Sequence, residues 1–124
     1  MAKRVLIVDD EPNIVTSLEF LMSRNGYDIA VARDGREAMT LLEDFAPDLV
    51  LLDVMLPQID GFEVCQRIRA HPERSATKIV MLTAKGRETE VRKGMDLGAD
   101  TYVTKPFSTK ELVAKVAAML GDDR

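Results

Sequence analysis

The most constraining feature of the chain is a set of short apolar runs with no polar residue inside them. Val5–Val8, Leu49–Leu52 and Ile79–Leu82 are such runs, and Ile29–Ala32 is a weaker fourth. A strand that is apolar on both faces must be covered on both, the condition of a parallel sheet between two helical layers. The intervening segments supply those helices. Ile14, Val15, Leu18, Leu21 and Met22 recur at the spacing of one helical face, and Asn25-Gly26 stops the run. Asp34-Gly35-Arg36-Glu37, Asp60-Gly61-Phe62-Glu63 and Ser108-Thr109-Lys110-Glu111 each have the form of a capping box. The helices they open carry Ala38, Leu41, Leu42 and Phe45, then Val64, Cys65 and Ile68, then Leu112, Val113, Val116, Met119 and Leu120. A polar helix from about Glu88 to Leu97, broken by Gly98, precedes a short strand at Tyr102-Val103. The order is strand then helix, five times over. Right-handed crossovers leave few arrangements, and 2-1-3-4-5 is the strand order expected. One domain over residues 1–121 is expected, with a polar tail at 122–124.

Composition narrows the function classes. The chain has 124 residues, 46% of them hydrophobic and 31% charged, which excludes a mainly disordered state. A chain of this length buries roughly two-thirds of its unfolded surface and needs no staple. The formal net charge of −4 argues against direct nucleic-acid binding. Cys65 is the one cysteine, so no internal disulfide forms and a reducing compartment fits. It reads as a buried helix residue. His71 is the one histidine, which excludes a His-rich metal cluster, and no role is assigned to it. The methionines read as core or loop filler. No apolar run approaches the ~20 residues of a membrane span. A cytoplasmic location without membrane insertion is expected.

In open α/β sheets, ligands bind beyond the carboxyl ends of the strands. Asp9-Asp10-Glu11 follows the first strand, and Asp53 follows the third. Thr83-Ala84 follows the fourth, and Lys105-Pro106 follows the fifth. The second strand, at the edge, ends only in Arg33-Asp34. One crevice would then hold three carboxylates, a hydroxyl and an ammonium. Two unit charges ~4 Å apart repel by roughly 4 kcal/mol at an effective dielectric of ~20, so the carboxylates need an offsetting cation. Mg²⁺, a hard cation that takes oxygen ligands, fits. An Asp beside such a cation, a Lys and a hydroxyl suits nucleophilic attack on phosphorus. Each residue also has a plainer reading. Asp9-Asp10 could belong to a helix start ahead of Pro12, Asp53 could cap a loop, Thr83 could be a strand residue, and Lys105 could be solvated. The conjunction favours the site.

These residues resemble a known family. Val5-Leu6-Ile7-Val8-Asp9-Asp10-Glu11, Leu51-Leu52-Asp53-Val54-Met55-Leu56-Pro57, Asp60-Gly61, Leu82-Thr83-Ala84 and Lys105-Pro106-Phe107 are similar to the response-regulator receiver domain of two-component signalling. The likeness runs through essentially the whole chain. It implies a flavodoxin-like doubly wound (βα)5 fold and a phosphorylation-activated switch rather than an enzyme. Asp53 would accept the phosphoryl group from a histidine kinase or a phosphotransfer protein. Asp10, Asp53 and the Met55 carbonyl would bind Mg²⁺, for which Mn²⁺ can substitute, with Asp9 assisting. Thr83 and Lys105 would grip the phosphoryl oxygens. Tyr102 would be the switch aromatic, turning inward as Thr83 moves. The Lys105-Pro106 bond matches one that is usually cis. Met55 and Lys85, two residues beyond Asp53 and Thr83, sit where hydrolytic water must approach and would tune the acyl-phosphate lifetime.

The departures concern output. One transcription-factor subfamily pairs through its fourth helix, fifth strand and fifth helix, with a basic residue where this chain has Val91 and an acidic one where it has Thr101. Asp100 and Glu111 fit that pattern, and Lys115 replaces the usual Arg. That face is expected to serve an output domain or a target protein rather than a strong activated dimer. Two other classes share parts of the pattern. A phosphatase would need a second carboxylate where Met55 stands. A flavin module would need a phosphate-cradling loop after the first strand, and none is present.

Overall fold

The computed structural model describes residues 2–84 and 86–121; Lys85 and the 122–124 tail lie outside the described residues. Five strands and five helices alternate. They are β1 Arg4–Val8, α1 Pro12–Arg24, β2 Asp28–Ala32, α2 Gly35–Asp44, β3 Leu49–Asp53, α3 Gly61–Ala70, β4 Lys78–Ala84, α4 Glu88–Asp96, β5 Thr101–Lys105 and α5 Thr109–Leu120. The sheet is parallel in the order β2-β1-β3-β4-β5. This is the flavodoxin-like doubly wound arrangement read from the sequence.

Successive side chains along a strand point to opposite faces, so each apolar run feeds two cores. Leu6, Val8, Val50, Leu52, Ile79 and Met81 face α2 and α3, where Ala38, Leu42, Val64, Cys65 and Ile68 close the layer. Val5, Ile7, Leu49, Leu51, Val80, Leu82 and Val103 face α1 and α5, against Leu18, Met22, Leu112 and Val116. The central strand β3 is buried throughout. Edge strand β2 is only partly covered, which explains its weaker apolar character.

The three capping boxes begin α2, α3 and α5. Asp34, Asp60 and Ser108 accept from the backbone amides of Glu37, Glu63 and Glu111. These caps fix where each strand-to-helix loop ends. Helix α1 starts differently. Its N-cap Glu11 makes no side-chain cap bond, and Pro12 occupies the first turn. Of the acids before it, Asp9 accepts the amide of that N-cap residue with one oxygen, which leaves the other for Lys105. Helix α4 buries only Gly94, packed on the Met81 side chain. It is the thinnest attachment in the helical layers, as its polar sequence implies.

Candidate phosphoryl-transfer site

Because all strands run parallel, β1, β3, β4 and β5 deliver their last residues to one end of the sheet. Asp9 is completely buried and Asp53 is 6% exposed. The Asp9 carboxylate accepts the Glu11 amide at 3.0 Å, and Asp53 Oδ1 accepts the Met55 amide at 3.2 Å. Each bond turns the chain away from the sheet just after the acid and fixes the acid's orientation. Asp9, Asp10 and Asp53 offer oxygens that all lie within 4.8 Å of one another. Lys105 reaches across from the end of β5, placing its Nζ 2.8 Å from Asp9 Oδ2 and 3.5 Å from Asp53 Oδ1. The Lys105-Pro106 peptide bond is cis.

The electrostatics follow from this crowding. Burial, and then the Asp9 charge, pushes the Asp53 pKa up to about 6, against the opposing pull of Lys105 and the Met55 amide. Burial alone would lower the Lys105 pKa. The hydrogen bond to Asp9 and the charges of Asp53 and Asp9 hold it above its ordinary value. One ammonium thus stands against three carboxylates, and burial, more than the neighbouring Asp9 charge, keeps the Asp53 value raised. The donor set is all oxygen, partly buried and net negative, which suits a hard divalent cation.

Thr83, next to the end of β4, is 2% exposed. Among the described residues its Oγ1 is the one buried side-chain oxygen or nitrogen with no hydrogen-bond partner. An orphaned hydroxyl costs free energy unless a partner arrives. Thr83 pairs with Thr104 across the sheet, and Met81 pairs with Tyr102. Tyr102 is 37% exposed, so its ring is turned partly to solvent. Thr83, Val91, Arg92, Tyr102 and Thr104 line a cleft of about 380 Å³ between β5 and α4. Met55 is 71% exposed at the rim of the acidic end.

The sequence reading brought together Asp9, Asp10, Asp53, Thr83, Lys105 and Met55, and the structure holds all six at this end of the sheet. Tyr102 borders it through the β5 cleft. Other participants were missed. Glu90 lines the same cleft as Asp10, Asp53, Met55 and Lys105. Its signal was its spacing from Gly94, since i and i+4 share a helix face and Gly94 packs on the sheet. Arg69 donates to the Gly98, Ser75 and Thr77 carbonyls and to Asp100, tying the end of α3 to the loops around β4 and β5. His71, assigned no role, pairs with Glu43 and so links α3 to α2. Neither contact had a local pattern, because both join residues far apart in sequence.

The fold and this cluster define a class, and comparison with known proteins gives the same one. The response regulator receiver domain matches residues 5–117, and the chain belongs to that family. It is the receiver domain of a two-component response regulator, a signalling switch. It is 49% identical over 120 residues to the alkaline phosphatase synthesis transcriptional regulatory protein PhoP of Bacillus subtilis, covering 97% of this chain. The chain spans about half the length of that relative. A response regulator from Chloroflexus aurantiacus superimposes with a TM-score of 0.95 at 37% identity, over 98% of this chain and 99% of that one. Chemotaxis protein CheY4 of Vibrio cholerae gives 0.91 at 29% identity, over 97% of this chain and 100% of that one. Receiver domains bind Mg²⁺ at an acidic pocket, and Asp9, Asp10 and Asp53 form an acidic cluster at this end of the sheet. No helix among the described residues is long and apolar enough to cross a membrane.

Proposed function

We propose that Asp53 is the phosphoacceptor, taking its phosphoryl group from the phosphohistidine of a histidine kinase or of a phosphotransfer protein. The observation that carries this reading is the bridge made by Lys105. Its ammonium spans Asp9 and Asp53 while the Thr83 hydroxyl nearby lacks a partner. A phosphoryl group on Asp53 brings oxygens that satisfy both. One Asp53 oxygen attacks phosphorus as the bond from phosphorus to the donor's imidazole nitrogen breaks. Lys105 moves from carboxylate to phosphoryl oxygen, and Thr83 donates to another. Asp10, Asp53 and the Met55 carbonyl would hold Mg²⁺, with Mn²⁺ able to substitute and Asp9 in support. When bound, the cation supplies neutralisation of the charge that develops on the phosphoryl oxygens.

Filling the Thr83 partner position draws its side chain toward the phosphoryl group and opens space under Tyr102. The ring then turns inward, and the face of α4, β5 and α5 changes shape. Asp100 on that face is already engaged by Arg69 and by the Ile79 amide, while Val91 and Thr101 carry no charge. That favours an output module or partner protein over a strong activated dimer at this face. The transcriptional-regulator name of a relative twice as long supports an output module of that kind, with residues 1–121 as its receiver domain. Met55 at the rim is apolar and orients no water, which favours a slow loss of the phosphoryl group; Lys85, two residues after Thr83 in the sequence, would tune it as well.

Acetyl phosphate with Mg²⁺ tests the assignment. Intact-mass measurement is expected to add one phosphate to the wild type and none to Asp53→Asn, while Asp9→Asn is labelled more slowly. Equal labelling of Asp53→Asn overturns it.

A further inference from the structure

We infer that Lys115 is a positioning residue that latches Tyr102 in its outward orientation, and so sets how readily the domain accepts a phosphoryl group. The inference rests on the proposed Asp53 and Tyr102 roles and adds a residue that neither requires. Three contacts carry it. Lys115 Nζ donates to the Tyr102 carbonyl at 2.6 Å. The same ammonium lies 4.9 Å from the centre of the Tyr102 ring, over its face. Glu111, one turn earlier on α5, steadies it at 3.7 Å. The ammonium therefore holds the backbone and the ring of one residue together, and it can do so only while the ring faces outward.

Asp100 spends one oxygen on both Arg69 Nη2 and the Ile79 amide, each at 2.8 Å. That oxygen is tied to the α3 side, while Lys115 is engaged with Tyr102 and Glu111. A cation over an aromatic face is attracted by the ring's negative quadrupole, and at a partly exposed site the attraction corresponds to about a 2- to 5-fold bias. Moving the ring inward forfeits that contact. By linkage, whatever disfavours the inward ring disfavours phosphoryl binding by up to the same factor, and by all of it where the mimic binds only the inward state.

The test uses the full chain with Mg²⁺ and beryllofluoride as the phosphoryl mimic, read by equilibrium titration. The wild type is expected to bind, and Asp53→Ala is not. Lys115→Met is expected to tighten beryllofluoride binding about 2- to 5-fold, and Lys115→Arg to restore the wild-type value, since it keeps the cation over the ring. With the chain labelled with 3-fluorotyrosine, its two tyrosines give separate ¹⁹F signals. In Lys115→Met the Tyr102 signal is expected to move toward its beryllofluoride-bound position before any mimic is added. An unchanged affinity overturns the latch. So does an equal tightening by Lys115→Met in a Tyr102→Ala background, because the effect then bypasses the ring. Failure of the wild type to bind, or undiminished binding by Asp53→Ala, would instead overturn the phosphoacceptor reading, and the latch with it.

Discussion

At the scale of single residues, the site's reactivity comes with a stability cost that can be measured. Asp53 has a pKa raised to about 6 from an ordinary value of 3.8, chiefly by burial. The folded state therefore holds a proton more tightly than the unfolded chain between those values. Stability is highest below about pH 4 as far as this group is concerned, and it falls as pH rises through about 6. With divalent cations chelated, Asp53→Asn is expected to be more stable than the wild type by about 1–2 kcal/mol at pH 7.5. The figure is reduced from the full shift because the substitution also weakens the Lys105 contact. The advantage should vanish toward pH 4. Urea titrations across that range check it, and a pH-independent difference would contradict the assignment of the shift to Asp53. These residues were legible in the sequence because each is the polar residue that ends an apolar run. Arg69 was not, since a helix surface carries many charges and only packing selects those that turn inward; Glu90 had only its spacing from Gly94, and Lys115 was visible as a charge on the output face but not as a partner of Tyr102.

At the scale of elements, the junction of β3 and α3 is held by a close approach. A Cβ on Gly61 would stand 2.2 Å from the Asp53 carbonyl oxygen and 2.9 Å from the Val54 Cα. Backbone cannot yield as a flexible side chain can, so Gly61→Ala must push α3 away from the end of β3. A loss of about 2–3 kcal/mol is expected, together with slower labelling of Asp53 by acetyl phosphate. Chemical denaturation and intact-mass kinetics measure the two effects, and a neutral substitution would remove this account of the glycine. Helix α4 makes the opposite case. It buries Gly94 alone, whereas α3 buries Gly61, Val64, Cys65 and Ile68. Native-state hydrogen exchange should find the α4 amides opening at clearly lower free energy than those of α3. Equal protection of the two helices would contradict it. The weakness of α4 was readable from its scarcity of apolar anchors. Its cleft against β5 was not, because that depends on which way the Tyr102 ring turns.

At the scale of the whole molecule, the fold was the most legible part. Uninterrupted apolar strands demand cover on both faces, and crossover handedness then restricts the order of strands. The strand boundaries moved by one or two residues. Lys78, Asp53 and Lys105 pair in the ladder although they are polar, because backbone hydrogen bonds extend beyond the apolar run. The two cores share every central strand, so neither can melt alone. Cys65, on one face, is fully buried, and burial is the largest influence raising its thiol pKa. Its labelling by a thiol reagent in urea should therefore follow the same midpoint as far-UV circular dichroism. An earlier labelling midpoint would mean that the α3 side opens separately.

The register of β4 and β5 sets the tempo of such a molecule. Thr83 stands opposite Thr104 and Ala84 opposite Lys105, with Tyr102 two residues before Thr104 on the same strand. Nothing between the receiving end and the Tyr102 ring has to unfold, slide or cross a domain boundary. On the proposed mechanism a hydroxyl would rotate and a ring would change rotamer, side-chain motions of picoseconds to nanoseconds where they are exposed. Relaxation is then far faster than making or losing an acyl phosphate. On that mechanism the duration of the signal would belong to bond chemistry at the Asp53 carboxylate, with the conformation following it without lag.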